Sequence, residues 1–187
     1  MRHVNTLDAS QSALAIIDMQ DAFRAKIEGF PEIAARIAIM VEAAKLLQLP
    51  IVVTEQYPKG LGSTANEIKA ALPAATEIIE KTTFSSAGAP DFAAQLVRAG
   101  AKEVLVCGIE AHICVNQTVH DLLASGFQVH LLADCILSRH SYNKKVALRK
   151  MQSSGAILSS IEMALFEMMR DAKHEQFKAI QQLIMKL

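Results

Sequence analysis

The chain lacks an excess of either charge: 19 Lys and Arg balance 19 Asp and Glu. That balance, with no arginine- or lysine-rich run, argues against a nucleic-acid partner, whose binding surface normally shows as basic excess or a basic stripe. The nearest thing to such a run, Lys144 and Lys145 with Arg149 and Lys150, reads as a solvated helix face. Cysteine is scarce. Cys107, Cys114 and Cys135, with no CxxC spacing, cannot form a disulfide framework that pairs every thiol, and they fit a reducing compartment. Long apolar runs are missing too: residues 104–108 and 129–133 fall far short of the ~20 residues that cross a bilayer. The opening MRHVNTLDASQSALAIIDMQ has no long uncharged core followed by a small-residue cleavage site, so no secretory signal is read in it. No GxGxxG follows the first strand-like run, and GLGS at 60–63 is too short for a phosphate loop, so no nucleotide cofactor is expected. These absences lead to the expectation of a soluble cytoplasmic protein with no membrane segment.

What is present is apolar and regular. Hydrophobic residues make up 51% of 187, enough for one domain, residues 1–187, with a sizeable core. Short β-type runs alternate with helix-period segments from end to end. The run ALAIID at 13–18 is almost continuously apolar, as a strand covered on both faces should be. Residues 32–47 place Ile33, Ile37, Met40, Val41 and Ala44 at helical spacing, Pro50 ends that element, and 51–54 begins the next strand. Further strands are expected at 77–80, 103–108, 127–132 and 156–159. Helices are expected from Pro90, over 113–125 with Gly126 as a C-cap, and around 143–153. The alternation predicts a three-layer α/β/α fold: a Rossmann-like, parallel, six-stranded sheet with helices on both faces. Near the C-terminus Ile161, Leu165 and Met168, then Phe177, Ile180, Leu183, Ile184 and Leu187, make an apolar stripe broken near 171–174. It would pack on the sheet or serve a subunit contact.

In a doubly wound sheet the ligand crevice lies outside the carboxyl ends of the strands. Three chemistry-bearing residues fall there: Asp18 ends the first strand, Lys81 follows the third, and Cys114 opens the helix after the fourth. Parallel strands bring all three to one rim, where an acid, an amine and a thiol make a nucleophilic site. A helix N-terminus and a lysine ammonium would both lower the pKa of Cys114, because the thiolate is the competent nucleophile. Asp18 could take the thiol proton and return it to a leaving amine, and helix-start amides could hold an oxyanion. Each residue alone has a plainer reading: a buried small hydrophobe for Cys114, a turn cap for Asp18, a solvated side chain for Lys81. Cys107 and Cys135 take that buried reading, inside a strand and just beyond one.

The segments DMQDAF, EKTTFS and GIEAHICVNQTVHDLL resemble the isochorismatase-like cysteine hydrolases, which include nicotinamidases and N-carbamoylsarcosine amidohydrolases. TEQYPKGLGST and DAKHEQFKAIQ look like the isochorismatase-domain-containing subgroup. The resemblance implies a catalytic triad with Asp18 as general base, Lys81 as its lysine and Cys114 as nucleophile. It also implies oxyanion donors from the amides of Glu110 and Cys114, a cis Ile109–Glu110 peptide, and Gln20 and Phe23 near the pocket. Tyr57, Phe84 and His112 complete the expected pocket, with His112 at its rim rather than as a base. Glu55 and Tyr57 could instead be ordinary loop packing, and His120 packed or solvated. Asp134, Ser138 and Arg139 read as turn capping or a subunit contact. Nicotinamidases bind a divalent metal through an aspartate and histidines soon after the second strand; TEQYPKGLGST has neither, so no metal is expected. True isochorismatases lack the nucleophilic cysteine, which this chain has. The reading is a metal-independent hydrolase of a small amide-like substrate, working through an acyl-enzyme and forming a homo-oligomer as the family often does. The rivals are a catalytically silent binding or scaffold protein with the same fold, and a redox-active thiol protein.

Overall fold

The apolar strand runs pair side by side, because a fully covered strand can satisfy its backbone only through neighbours. In the computed structural model, which describes residues 3–187, six strands form one wholly parallel sheet. They are β1 (Ser12–Ile17), β2 (Ile51–Gln56), β3 (Ile78–Lys81), β4 (Glu103–Gly108), β5 (Gln128–Ile136) and β6 (Ile157–Ser159). Their spatial order is β3-β2-β1-β4-β5-β6. The chain therefore builds outward from β1 in one direction, then returns to its other side with β4. The order reverses between β1 and β4, which opens a crevice at their carboxyl ends.

Period-two alternation along each strand divides the core. Leu14, Ile16, Val53, Leu105, Cys107 and Leu132 face one layer, with α1 (Phe30–Leu46) packed over them. Ala13, Ala15, Ile17, Val52, Val104, Val106 and Val129 face the other. That second layer holds α4 (Pro90–Arg98), α5 (Asn116–Ala124) and α6 (Ser141–Ser153). Two short helices that periodicity does not predict, α2 (Pro58–Leu61) and α3 (Asn66–Ala71), follow β2. The C-terminal stripe divides into α7 (Ile161–Met169) and α8 (Phe177–Ile184), which join the α1 layer through buried Leu165, Met168 and Ile180. Met163 and Phe166 on α7 remain exposed. No described helix is long and apolar enough to cross a membrane.

Strand β5 corrects one expectation. It runs to Ile136 rather than ending near 132, so Cys135 lies inside it, fully buried, and not beyond it. A register shift opposite Val106 and Gly108 breaks the strict alternation that would mark a strand in sequence, yet lets pairing continue. Asp134 is likewise within β5, where its carboxylate accepts from the Ile161 amide and faces Arg36 at 3.7 Å.

Candidate active site

The chain leaves β1 through Asp18 at φ 50°, a left-handed conformation that aspartate tolerates better than most residues. That turn carries the carboxylate across the ends of the neighbouring strands. Oδ1 accepts from the Thr54 hydroxyl of β2 at 2.8 Å, and Oδ2 meets Lys81 Nζ of β3 at 2.7 Å. The Lys81 and Asp18 side chains are 1% and 2% exposed. A buried charge pair holds only when its remaining protons and lone pairs are satisfied. Here Lys81 Nζ also donates to Gln56 Oε1 at 2.7 Å and to the carbonyls of Phe84 and Thr83 at 3.0 and 3.1 Å. Thr54 gives its single proton to Asp18, so the Ser86 hydroxyl 3.2 Å away donates to Thr54, and Thr118 Oγ1 in turn accepts from the Ser86 amide at 2.8 Å. Three strands and α5 thus fix one carboxylate.

Cys114 arrives from the other side of the crevice. After β4 the Ile109–Glu110 peptide is cis, and residues Ala111–Val115 form a π-helical turn before α5. The wide turn is closed by a bond from the Val115 amide to the Glu110 carbonyl at 3.3 Å. Gly108 allows the close approach that places this loop: a Cβ there would stand 2.1 Å from the Ile17 carbonyl oxygen. The Glu110 carboxylate is buried and tied down by Arg139, through its backbone amide at 2.9 Å and its Nε at 3.0 and 3.1 Å. The Ala111 amide donates to the Leu137 carbonyl at 2.8 Å, so the loop after β5 straps the loop after β4.

Cys114 is 7% exposed and lies within electrostatic reach of both Asp18 and Lys81. Its pKa is not lowered, contrary to the expectation from sequence. Burial, and then the Asp18 carboxylate, push it up to about 12, against the smaller opposing pull of Lys81. Cys114 also sits within the π-helical turn rather than at its first residue, so the helix-end field that favours a thiolate is weakened. At rest Cys114 is a thiol close to the Asp18 carboxylate.

Cys114 and Asp18 line one small cavity of about 130 Å³, with Phe23, Phe84 and Glu110 from the expected set. Gln56, Leu61, Ile109 and Ile113 complete it. Three expected pocket residues lie elsewhere. Gln20 is fully buried and joins loops: it donates to the Gln56 and Gly62 carbonyls at 3.0 and 2.7 Å and accepts from the Gln56 amide at 2.8 Å. Tyr57, 55% exposed, borders a separate groove with Lys59, Glu80 and Thr82. His112 lies 3.0 Å from the Ser138 hydroxyl and does not line the cavity. Glu55 holds the loop after β2 by accepting from the amide and hydroxyl of Thr64 at 2.6 and 2.7 Å. His120 bridges the Asn116 carbonyl and Ser154. The stretch after β2 opens with Tyr57 and carries no histidine or aspartate. Among the described residues no group of three or more His, Cys, Asp or Glu is placed to hold one.

Sequence reasoning missed Thr54, Ser86 and Gln56, which hold the ion pair, and Leu61 and Ile113, which line the cavity. Thr54 and Gln56 carry a usable signal, since both fall at the carboxyl end of β2 beside Asp18. Leu61 carries none, because its position depends on the conformation of the loop.

A doubly wound parallel sheet with a polar cluster at its switch point is the architecture of α/β proteins that act on small molecules at their strand ends. The chain belongs to the isochorismatase family: the isochorismatase-domain model matches residues 12–163. Isochorismatase domain-containing protein 2 of Xenopus laevis is 39% identical over 186 residues, covering 99% of this chain and 89% of that protein. The secreted isochorismatase effector Isc1 of Phytophthora sojae is 39% identical over 187 residues, 98% of this chain and 89% of its own. The MAR1 ribonuclease of Caenorhabditis elegans superposes with a TM-score of 0.92 at 37% identity, over 96% of this chain and 92% of that one. Family membership supports hydrolase-type activity.

Proposed function

We propose that the protein is a cysteine hydrolase that cleaves the C–N bond of a small amide-like substrate through an acyl-enzyme. One observation carries the reading: Asp18, ion-paired to the buried Lys81 behind it, and Cys114 line one small cavity. Asp18 accepts the thiol proton as Cys114 Sγ attacks the substrate carbonyl carbon, so no free thiolate has to accumulate. Lys81 pairs with the Asp18 carboxylate and offsets the charge that develops on sulfur. The amides of Glu110 and Cys114 stabilise the oxyanion of the tetrahedral intermediate. Its collapse breaks the C–N bond, and the proton on Asp18 passes to the leaving nitrogen. Asp18 then takes a proton from water, whose oxygen attacks the thioester carbonyl; collapse breaks the C–S bond, releases the acid, and the proton on Asp18 returns to Cys114 Sγ. The step needs neither metal nor cofactor.

A relative named as a ribonuclease favours a second reading, cleavage of RNA. The cavity of about 130 Å³ is far below the roughly 300–1,000 Å³ of pockets that enclose larger ligands, and the chain has no net positive charge to draw a phosphate backbone. A panel of amides, carbamoyl compounds, esters and single-stranded RNA, run on wild type and Cys114→Ala, separates the readings. Cys114-dependent release of amine or ammonia is expected. RNA cleavage that survives Cys114→Ala, with no turnover of any carbonyl compound, would overturn the proposal.

A further inference from the structure

The cavity next to Cys114 has two acidic side chains in its wall and none of its described lining residues is a lysine or arginine. Both acids are already matched. Asp18 takes the Thr54 hydroxyl and the Lys81 ammonium, and Glu110 takes the Arg139 amide and guanidinium. Lys81 has nothing left to offer a ligand: its three protons face four acceptors, Asp18 Oδ2, Gln56 Oε1 and the carbonyls of Thr83 and Phe84. Gln56 turns its oxygen to the ion pair, with Oε1 accepting from Lys81, and one proton of its Nε2 goes to the Thr82 carbonyl at 2.8 Å. The rest of the wall is apolar: Phe23, Leu61, Phe84, Ile109 and Ile113.

From this matched-acid, cation-free, apolar wall we infer that the site takes a small, uncharged, apolar acyl group. The inference rests on the Cys114 reading and adds the substrate class to it. An anionic acyl group would bring a third carboxylate beside Asp18 and Glu110, with no cation in the wall to meet it. A cationic one would lose its hydration to acids already neutralised by Lys81 and Arg139. A short branched or straight hydrocarbon chain loses nothing polar on entry and fills the space against Phe23, Leu61 and Ile113. Selection is by size and by the absence of charge. The small volume excludes extended acyl chains from full burial.

Two p-nitrophenyl esters of nearly equal shape test this directly: the isovaleryl ester, whose acyl chain ends in an isopropyl group, and the malonyl half-ester, which ends in a carboxylate. In each, Cys114 Sγ bonds to the carbonyl carbon and p-nitrophenolate leaves with the electron pair of the broken C–O bond. Acylation is followed by intact mass and nitrophenolate release, and each rate is divided by that ester's rate with a free thiol. The expected result is acylation of Cys114 at least about 100-fold faster by the isovaleryl ester, since a carboxylate would lose hydration beside two like charges with no cation to pair with. Leu61→Lys, which sets a cation in the wall, should move the ratio toward the malonyl ester by about tenfold or more. Equal or faster acylation by the malonyl ester in the wild type would overturn the inference while leaving the nucleophile in place. Failure of both esters to acylate Cys114, with the free thiol reacting normally, would overturn the nucleophile and the substrate class together.

Discussion

At the scale of single residues the account turns on a thiol that rests protonated. Because burial and Asp18 raise the Cys114 pKa from 9.0 to about 12, only the rare thiolate reacts with an external alkylator at neutral pH. Alkylation of Cys114 by iodoacetamide is therefore expected to climb about tenfold per pH unit through the alkaline range, following the thiolate fraction, with no plateau near pH 7. Peptide-resolved mass spectrometry across pH 7–11 checks it, and a plateau at neutral pH would contradict it. Asp18→Asn should move two readouts in opposite directions. It removes the base and so lowers turnover by about 100-fold or more. It also removes the charge that holds the proton on sulfur and leaves Lys81 unopposed, so alkylation of Cys114 speeds up. A variant that merely unfolded the site would expose Cys107 and Cys135 to the alkylator as well, and both are fully buried in the native protein. The three residues were legible in the sequence because Asp18 and Lys81 stand at strand ends and Cys114 in the turn that follows one. The direction of the Cys114 shift was not, because it depends on the depth of burial and on which of two opposite charges acts more strongly.

At the scale of elements, the loop after β5 governs the loop after β4. Arg139 reaches Glu110 from outside the cavity, so in the proposed mechanism it acts only through the placement of the Glu110 amide. Arg139→Ala is expected to lower kcat by about tenfold, with little change in KM, because an oxyanion donor is displaced while the cavity walls stay. It should cost about 1–3 kcal/mol of stability, since the buried Glu110 carboxylate loses its guanidinium partner. Arg139→Lys can restore charge but not the two-oxygen contact, and partial rescue of kcat is the expected result. A large rise in KM with kcat unchanged would place Arg139 in substrate binding instead. This strap was invisible to sequence reading. Asp134, Ser138 and Arg139 look like an ordinary turn after a strand, and the register shift that carries β5 to Ile136 has no periodic signature. Likewise Tyr57 and His112 stand next to strand ends in sequence, yet loop geometry turns them away from Cys114. The strands themselves were legible to within a residue or so elsewhere, because parallel strands buried on both faces leave continuous apolar runs.

At the scale of the whole molecule, alkaline pH should weaken the fold through its thiols. All three cysteines titrate above the ordinary thiol value when folded, with burial as the first cause. Below about pH 9 folded and unfolded thiols are equally protonated, and this contribution is fully present. As pH rises past that value the unfolded thiols ionise while Cys114 holds its proton toward about 12, so the unfolded state binds fewer protons and stability falls. Thermal unfolding should therefore show a Tm that declines from about pH 9 upward, and the decline should be shallower in Cys107→Ala or Cys135→Ala compared with each variant's own neutral-pH Tm. An equal decline in those variants would assign the alkaline loss to other groups. The overall architecture was legible because strand–helix alternation admits few topologies. The two layers of the core follow from the same period-two pattern, as Leu14 and Ile16 on one face of β1 and Ala13, Ala15 and Ile17 on the other illustrate.

The most direct test of the central claim is to trap the covalent intermediate. The protein is mixed with the isovaleryl p-nitrophenyl ester, quenched in acid within the burst, digested, and read by peptide mass. The expected result is an isovaleryl adduct on Cys114 alone, its decay at the rate of steady-state turnover, and loss of both adduct and turnover in Cys114→Ala. Turnover that persists in Cys114→Ala, or an adduct confined to Cys107 or Cys135, would contradict it.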